Sequence, residues 1–147
     1  MKKILFAASE AVPFMKTGGL ADVTGSLPKY FDKKNYDVRV ILPKYVCMEE
    51  RWKGQLHFLC HFYVNLSWRK QYVGIFETTY DGITYYLVDN EFYFAGNAPY
   101  NNIYEDVEKF AFFSKAVLEA LPYLDFCPDI IHCHDWQTGL LPVFLRT

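Results

Sequence analysis

The stretch Lys16-Thr17-Gly18-Gly19-Leu20-Ala21-Asp22-Val23 places an ammonium and two adjacent glycines just before a helical pattern. That combination suits an anion. Glycines allow close backbone approach and φ values that other residues avoid. The free N–H groups of a first helical turn, with the helix dipole behind them, favour negative charge. Lys16 adds a full positive charge at the rim. The stretch reads as a site for a phosphate-bearing small molecule at the C-terminal edge of a parallel sheet. It is neither common phosphate motif. A P-loop places its lysine after the glycines, and the next glycine after Gly19 is Gly25, too late for Gly-x-Gly-x-x-Gly. A glycine pair alone also fits a tight turn that binds nothing.

A second constellation, His134-Asp135-Trp136, follows the apolar run Asp129 to Cys133. Strand ends on that edge are where α/β sheets bind ligands. If both runs are parallel strands, the two motifs face one crevice, and His134 can hydrogen-bond a ligand hydroxyl or steady charge near a reacting atom. A lone histidine at a strand end also serves as a structural hydrogen-bonder. Two other groups resemble metal ligands. His57, Cys60 and His61 have a spacing that suits a helix better than the strand they sit in, and no acidic partner is near, so packing or surface is the preferred reading. His132, His134 and Asp135 are discounted because strand geometry turns His132 away. Glu105, Asp106 and Glu108 read as the acidic start of a helix rather than as a base.

The elements that must position these residues follow from periodicity. Ile4 to Ala8 is a continuous apolar run, as in a strand buried on both faces. Pro13 keeps Ser9 to Thr17 out of a helix. Leu20, Val23, Leu27 and Tyr30 predict a helix over 20–31 with one apolar face, which Pro28 kinks or shortens. Asp37 to Leu42 is a second strand, completing a βαβ unit. Tyr45 to Gly54 is ambiguous. Gln55 to Leu66, Lys70 to Thr79 and Ile83 to Asp89, with Tyr80-Asp81-Gly82 as a hairpin turn, read as an antiparallel β insertion. Asn90 to Tyr104 is a long polar, aromatic loop, and such loops are functional or mobile. Glu105 to Leu121 is a helix whose inner stripe is Val107, Phe110, Ala111, Ser114, Val117, Leu118 and Leu121. Asp129 to Cys133 is another buried strand, and a last helix begins near Thr138. The fold class is α/β: a Rossmann-like parallel sheet with flanking helices and an antiparallel insertion. The sequence ends just after a strand-to-helix turn, which reads as a fragment.

The 15 basic and 17 acidic residues are well mixed, so nothing points to nucleic acid or an anionic membrane as partner. No run approaches the length of a membrane span, and the first apolar run breaks at Ser9-Glu10, unlike a secretory signal. Cys47, Cys60, Cys127 and Cys133 form no Cys-x-x-Cys pair and read as reduced thiols of a cytoplasmic protein.

The run from Lys2 to Pro28, and Pro128-Asp129-Ile130-Ile131-His132-Cys133-His134-Asp135-Trp136-Gln137-Thr138-Gly139-Leu140, closely resemble the bacterial glycogen synthases and plant starch synthases. Tyr72 to Ile75 and Lys109 to Pro122 resemble the same family, so the likeness spans the chain. The resemblance implies a two-domain GT-B architecture, of which residues 1–147 are an incomplete N-terminal half and the C-terminal nucleotide-binding domain is absent. It implies a retaining glucosyltransferase that moves glucose from ADP-glucose to the non-reducing end of an α-1,4-glucan, with no metal or other cofactor. ADP-glucose and an α-glucan acceptor, glycogen or a maltooligosaccharide, are then the partners. His134 takes an active-site role, Lys16 contacts the nucleotide sugar, and Gly18 and Gly19 offer backbone contacts. Asp22, Tyr100 and Asp135 complete the substrate-binding set, Asp22 first as a loop-fixing group. Two departures stand out. The family tends to carry a basic pair and a Gly-Leu-Tyr-Gly-like stretch after Phe94, where this chain has Ala95 to Asn101 and keeps only Tyr100. Lys109 stands where arginine is usual. The fragment alone is expected to be inactive. The reading from another class is a non-catalytic α-glucan-binding or regulatory module, with the 92–104 loop holding oligosaccharide.

Overall fold

The computed structural model describes residues 1–146. Six strands form one sheet: β1 (Lys2–Ala7), β2 (Tyr36–Pro43), β3 (His57–Leu66), β4 (Arg69–Tyr80), β5 (Ile83–Asp89) and β6 (Ile130–Cys133), in the order β3-β4-β5-β2-β1-β6. The block β5-β2-β1-β6 is parallel, and β3-β4-β5 is antiparallel. Ile83–Asp89 therefore belongs to both: it closes the hairpin with β4 and is also a parallel strand beside β2. The antiparallel addition is the β3–β4 pair. Asp81 and Gly82 have φ of 53° and 79°, the left-handed pair that a two-residue hairpin turn needs.

The apolar runs are continuous because the parallel strands are covered on both faces. Leu5, Ala7, Ile41, Tyr86 and Val88 pack on one face against Phe112, Phe113 and Ala116 of α3 (Ile103–Ala120). Ile4, Phe6, Val40, Leu42, Tyr85 and Leu87 face the other side, covered by Phe14, Met48 and Trp52. Trp52 comes from α2 (Glu50–Lys53), so the ambiguous 45–54 stretch is a short turn of helix that roofs the second face.

Two expectations are corrected. The first helix, α1 (Gly19–Ser26), passes at Leu27 into a 3₁₀ turn, Leu27–Tyr30, with Pro28 in its first turn. Its buried residues are Ala21, Thr24 and Gly25, while Val23, Leu27 and Tyr30 of the anticipated apolar face are exposed. Small residues win because the helix lies against the 9–15 loop: a Cβ on Gly25 would sit 2.3 Å from Val12 Cγ2. In α3 the buried set shifts to include Phe112, Phe113, Ala116 and Ala120, and Val107 is exposed, since the sheet and the loops before it meet a wider arc than one stripe. In β6, the last strand in the order among the described residues, Ile131 and Cys133 pack toward the α3 side and Ile130 and His132 are exposed. After it come a 3₁₀ turn, Trp136–Thr138, and α4 (Leu141–Leu145).

Candidate functional site

β1 and β6 are neighbours, paired in parallel from Ile4–Ile130 to Ala7–Cys133, so both motifs leave the same edge of the sheet. The His134 N–H donates to Ala7 O at 3.1 Å, which fixes the second motif directly against the end of the first strand. Tyr100 arrives from the long loop, its hydroxyl 2.6 Å from that of Ser9. Lys16, the glycine turn, Tyr100 and the His134 turn thus gather at one sheet edge.

The centre of this edge is a residue that the sequence reading passed over. Glu10 is 1% exposed. Its Oε1 accepts from the N–H groups of Gly18 (3.2 Å) and Ala21 (3.3 Å). Its Oε2 accepts from the hydroxyls of Thr17 (2.5 Å) and Tyr100 (3.1 Å). Thr24 Oγ1 donates to Glu10 O, and Tyr45 Oη donates to Ser9 O, each at 2.6 Å. The helix N-terminus already holds an anion, and that anion is the protein's own carboxylate. Of the first-turn N–H groups assigned to a ligand, those of Gly18 and Ala21 are taken; those of Gly19 and Leu20 meet no acceptor among the described residues. The signal was present in Ser9-Glu10, a polar pair ending an apolar strand without any surface-loop composition around it.

Of the two uses expected of the glycines, close backbone approach and unusual φ, the geometry allows the first. Neither has a positive φ, and Gly18 is extended at φ −162°. A Cβ at either would meet nothing within 4 Å. They leave room beside the backbone rather than supply an unusual conformation. Lys16 Nζ lies 2.9 Å from Asp22 Oδ2 and 3.0 Å from Oδ1, with both side chains half exposed. Asp22 therefore fixes the loop by holding its cation.

His134 is nearly buried, and burial, with the neighbouring His132 ring, pushes its pKa down to about 4. The imidazole is neutral near pH 7. Its Nε2 is buried without a hydrogen-bond partner among the described residues, a costly state. His132, near the end of β6, has its ring 4.3 Å from that of His134 just beyond the strand, so it is not turned away from the second motif as expected; residues two apart along an extended chain share a face. Asp135 adopts φ 65° and ψ −177°, a region nearly reserved for glycine, and its carboxylate accepts from Trp136 N at 2.8 Å. Thr138 Oγ1 donates to His134 O at 3.0 Å. The turn is strained and tied at both ends, which holds the imidazole in place. Burial, with the Glu10 carboxylate beside it, pushes the Tyr100 phenol up to about 12 against the opposing hydrogen bond with Ser9, so it stays protonated.

Lys109 is buried where arginine was anticipated. Its Nζ donates to Pro99 O at 2.8 Å and Asn101 Oδ1 at 2.7 Å, and lies 3.5 Å from Asp106 Oδ1. A single ammonium staples the segment on both sides of Tyr100 onto α3. Asn102, not an acidic residue, caps that helix by accepting from Glu105 N at 3.0 Å. Neither metal-like group assembles: no three His, Cys, Asp or Glu side chains among the described residues form a ligand set. His61 instead stacks between Phe58 and Tyr72.

A mostly parallel α/β sheet, with a cationic glycine turn and a neutral, unpartnered histidine following adjacent strands at its C-terminal edge, defines a Rossmann-like domain. Within that class the family is specific. The chain belongs to the starch synthase catalytic domain family, whose model matches residues 3–147. It is 70% identical over 146 residues to a glycogen synthase of Lachnoclostridium phytofermentans and 64% identical over 146 residues to one of Lachnospira eligens. Both alignments cover 99% of this chain and 30% of the relative. The catalytic domain of starch synthase IV from Arabidopsis thaliana, bound to ADP and acarbose, superposes with a TM-score of 0.78 at 29% identity, over 98% of this chain and 30% of that one. The chain thus spans about a third of the length of the proteins it matches. No described helix is long and apolar enough to cross a membrane.

Proposed function

We propose that this chain is the N-terminal part of a glycogen or starch synthase, and that it steadies ADP-glucose while glucose passes, with retention, to the non-reducing end of an α-1,4-glucan. The observation that carries the reading is the shared edge of β1 and β6, where a half-exposed lysine, bare glycine backbone and a neutral histidine with a free buried nitrogen converge. Lys16 balances the diphosphate as the bond to the glucosyl carbon breaks and charge grows on the leaving group. Gly18 and Gly19 leave space for it, and the Gly19 and Leu20 N–H groups face it. His134, neutral, exchanges a hydrogen bond with a hydroxyl of the reacting sugar; it is not the source of a proton. Tyr100 and Asp135 shape the sugar pocket, and Asp22 holds Lys16. The reading routes no step through a metal or cofactor.

The test uses the full-length protein with labelled ADP-glucose and maltoheptaose. The expected product is maltooctaose whose new unit an α-1,4-specific hydrolase removes, while residues 1–147 alone release no ADP above buffer. Transfer from UDP-glucose only, or a product that resists the hydrolase, would refute the reading.

A further inference from the structure

β3 (His57–Leu66) stands first in the sheet order, paired with β4 on one side and with no described strand on the other. Such a strand offers a row of unpaired N–H and C=O groups, and proteins blunt it with charge, proline, a bulge or a covering group. Two of these devices are present, one near each end. A register shift between Phe58 and Cys60 breaks the ladder near the start. Near the turn, Lys115 reaches over from α3 and donates its Nζ to Asn65 O. Between them, Cys60-His61-Phe62-Tyr63-Val64 carries no Lys, Arg, Asp, Glu or Pro. The Lys115 bond also sets the backbone direction. It turns Asn65 O to the open side, and backbone direction alternates along a strand, so the N–H and C=O groups of Tyr63 and His61 point to that side too.

The side chains along this strand are apolar on both faces. Phe62 and Val64 turn to the α3 side, where Phe62 stacks on Tyr123 at 4.8 Å. On the other face Tyr63 is 56% and Phe58 49% exposed. The His61 ring stacks on Tyr72 at 5.9 Å, Tyr63 meets Tyr72 edge-on at 6.0 Å, and Phe58 meets Phe76 at 5.4 Å. Gly74, opposite His61, makes room for this, since a Cβ there would lie 2.9 Å from Tyr72 Oη. The rings order one another before any partner arrives. Lys70 leans over the Tyr63 ring at 5.2 Å from β4, one strand in from the open side.

A strand that adds here needs no charge, because the strand it meets carries none, and it needs apolar side chains on both faces. β3 itself meets that description. We propose that β3 pairs with β3 of a second copy, antiparallel about a two-fold axis at Phe62. His61 and Tyr63 then exchange backbone hydrogen bonds with Tyr63 and His61 of the second copy, and the aromatic strip continues across the axis. In this register the bulge at Leu59 falls opposite the capped Asn65, so the two blunting devices end the new ladder together. The free segment spans about 17 Å. Its contact falls short of the roughly 1,200 Å² of stable interfaces, so the dimer is a weak one, with a dissociation constant of about 10–100 µM.

Sedimentation equilibrium of the 147-residue chain and of the full-length protein, from about 1 to 500 µM, reads the association and should pass from monomer to dimer in both. Hydrogen exchange reads the register. The His61 and Tyr63 amides should slow as concentration rises, while those of Phe62 and Val64, which face β4, should not change. Tyr63→Lys puts an ammonium on the open side and should weaken the dimer about tenfold or more, and His61→Lys should do the same. Tyr63→Phe should keep the dimer, and Tyr30→Lys, in the 3₁₀ turn after α1, should leave it unchanged. Circular dichroism checks that each variant is folded. A chain that stays monomeric, a dimer that protects neither the His61 nor the Tyr63 amide, or a dimer indifferent to both edge lysines would each overturn the pairing. A full-length protein that stays monomeric where the 147-residue chain dimerises would also overturn it, and would give the open side of β3 to a later part of the same polypeptide.

Discussion

Replacing Glu10 tests whether the sheet edge is organised as described. Its carboxylate receives four donors, two backbone N–H groups on Oε1 and two hydroxyls on Oε2, at 1% exposure. Glu10→Ala orphans all four and leaves a void. With about 1–3 kcal/mol for each buried unsatisfied group, partly relieved by water and by hydroxyl rotation, the loss should be about 3–5 kcal/mol. Glu10→Gln behaves differently. Its amide oxygen can keep the Gly18 and Ala21 N–H groups, while its NH₂ faces the Thr17 and Tyr100 hydroxyls, and a hydroxyl can accept as well as donate. What is lost is charge at a helix N-terminus and charge assistance in the bonds, about 1–2 kcal/mol. Urea unfolding gives both numbers, and hydrogen exchange at the Gly18 and Ala21 amides reports the local contacts. The reasoning is refuted if Glu10→Ala costs under about 1 kcal/mol, or if the glutamine variant is as unstable as the alanine one.

The strained Asp135 predicts an inverted order among small residues: Asp135→Gly should be more stable than Asp135→Ala by about 1 kcal/mol in urea unfolding, since glycine tolerates φ 65°. His134 makes stability depend on pH. Its folded pKa, about 4, lies below its ordinary 6.5, so the unfolded chain binds the extra proton; stability should fall as pH drops from about 6.5 to 4 and level off below, a segment of the curve that His134→Gln should flatten. Lys109→Met leaves Asp106 buried without its cation and frees the turn at Pro99, and should cost about 3–5 kcal/mol, whereas Lys109→Arg should retain most of the stability in thermal unfolding.

The parallel block of the sheet was readable because its strands are covered on both faces, and apolar runs such as Ile4 to Ala8 have no other use in a chain of this kind. The hairpin was readable from Asp81-Gly82, whose backbone demands are local. What depended on distant contacts was misread. The face α1 buries is set by how closely it meets Val12, so Thr24 and Gly25 are inside and Leu27 and Tyr30 outside. At the site, Lys16, the glycines and His134 were named from their types and motifs and Tyr100 from the family resemblance, and all lie at the edge where β1 and β6 end. Glu10 was missed because its importance lies in four partners that come from residues 17, 18, 21 and 100. Of the two expectations for the glycines, open space beside the backbone is present and a positive φ is not; space is a tertiary property that the pair alone does not encode.

The central claim is that the edge shared by β1 and β6 holds the donor. The most direct measurement is the rate of ADP release by the full-length protein with ADP-glucose and maltoheptaose, for the parent, Lys16→Ala and His134→Ala. Loss of one preorganised transition-state contact costs about 10²–10³ in kcat. The account predicts a fall of about that size in each variant with folding intact by circular dichroism. Rates within about twofold of the parent in both variants would contradict it and place the donor elsewhere.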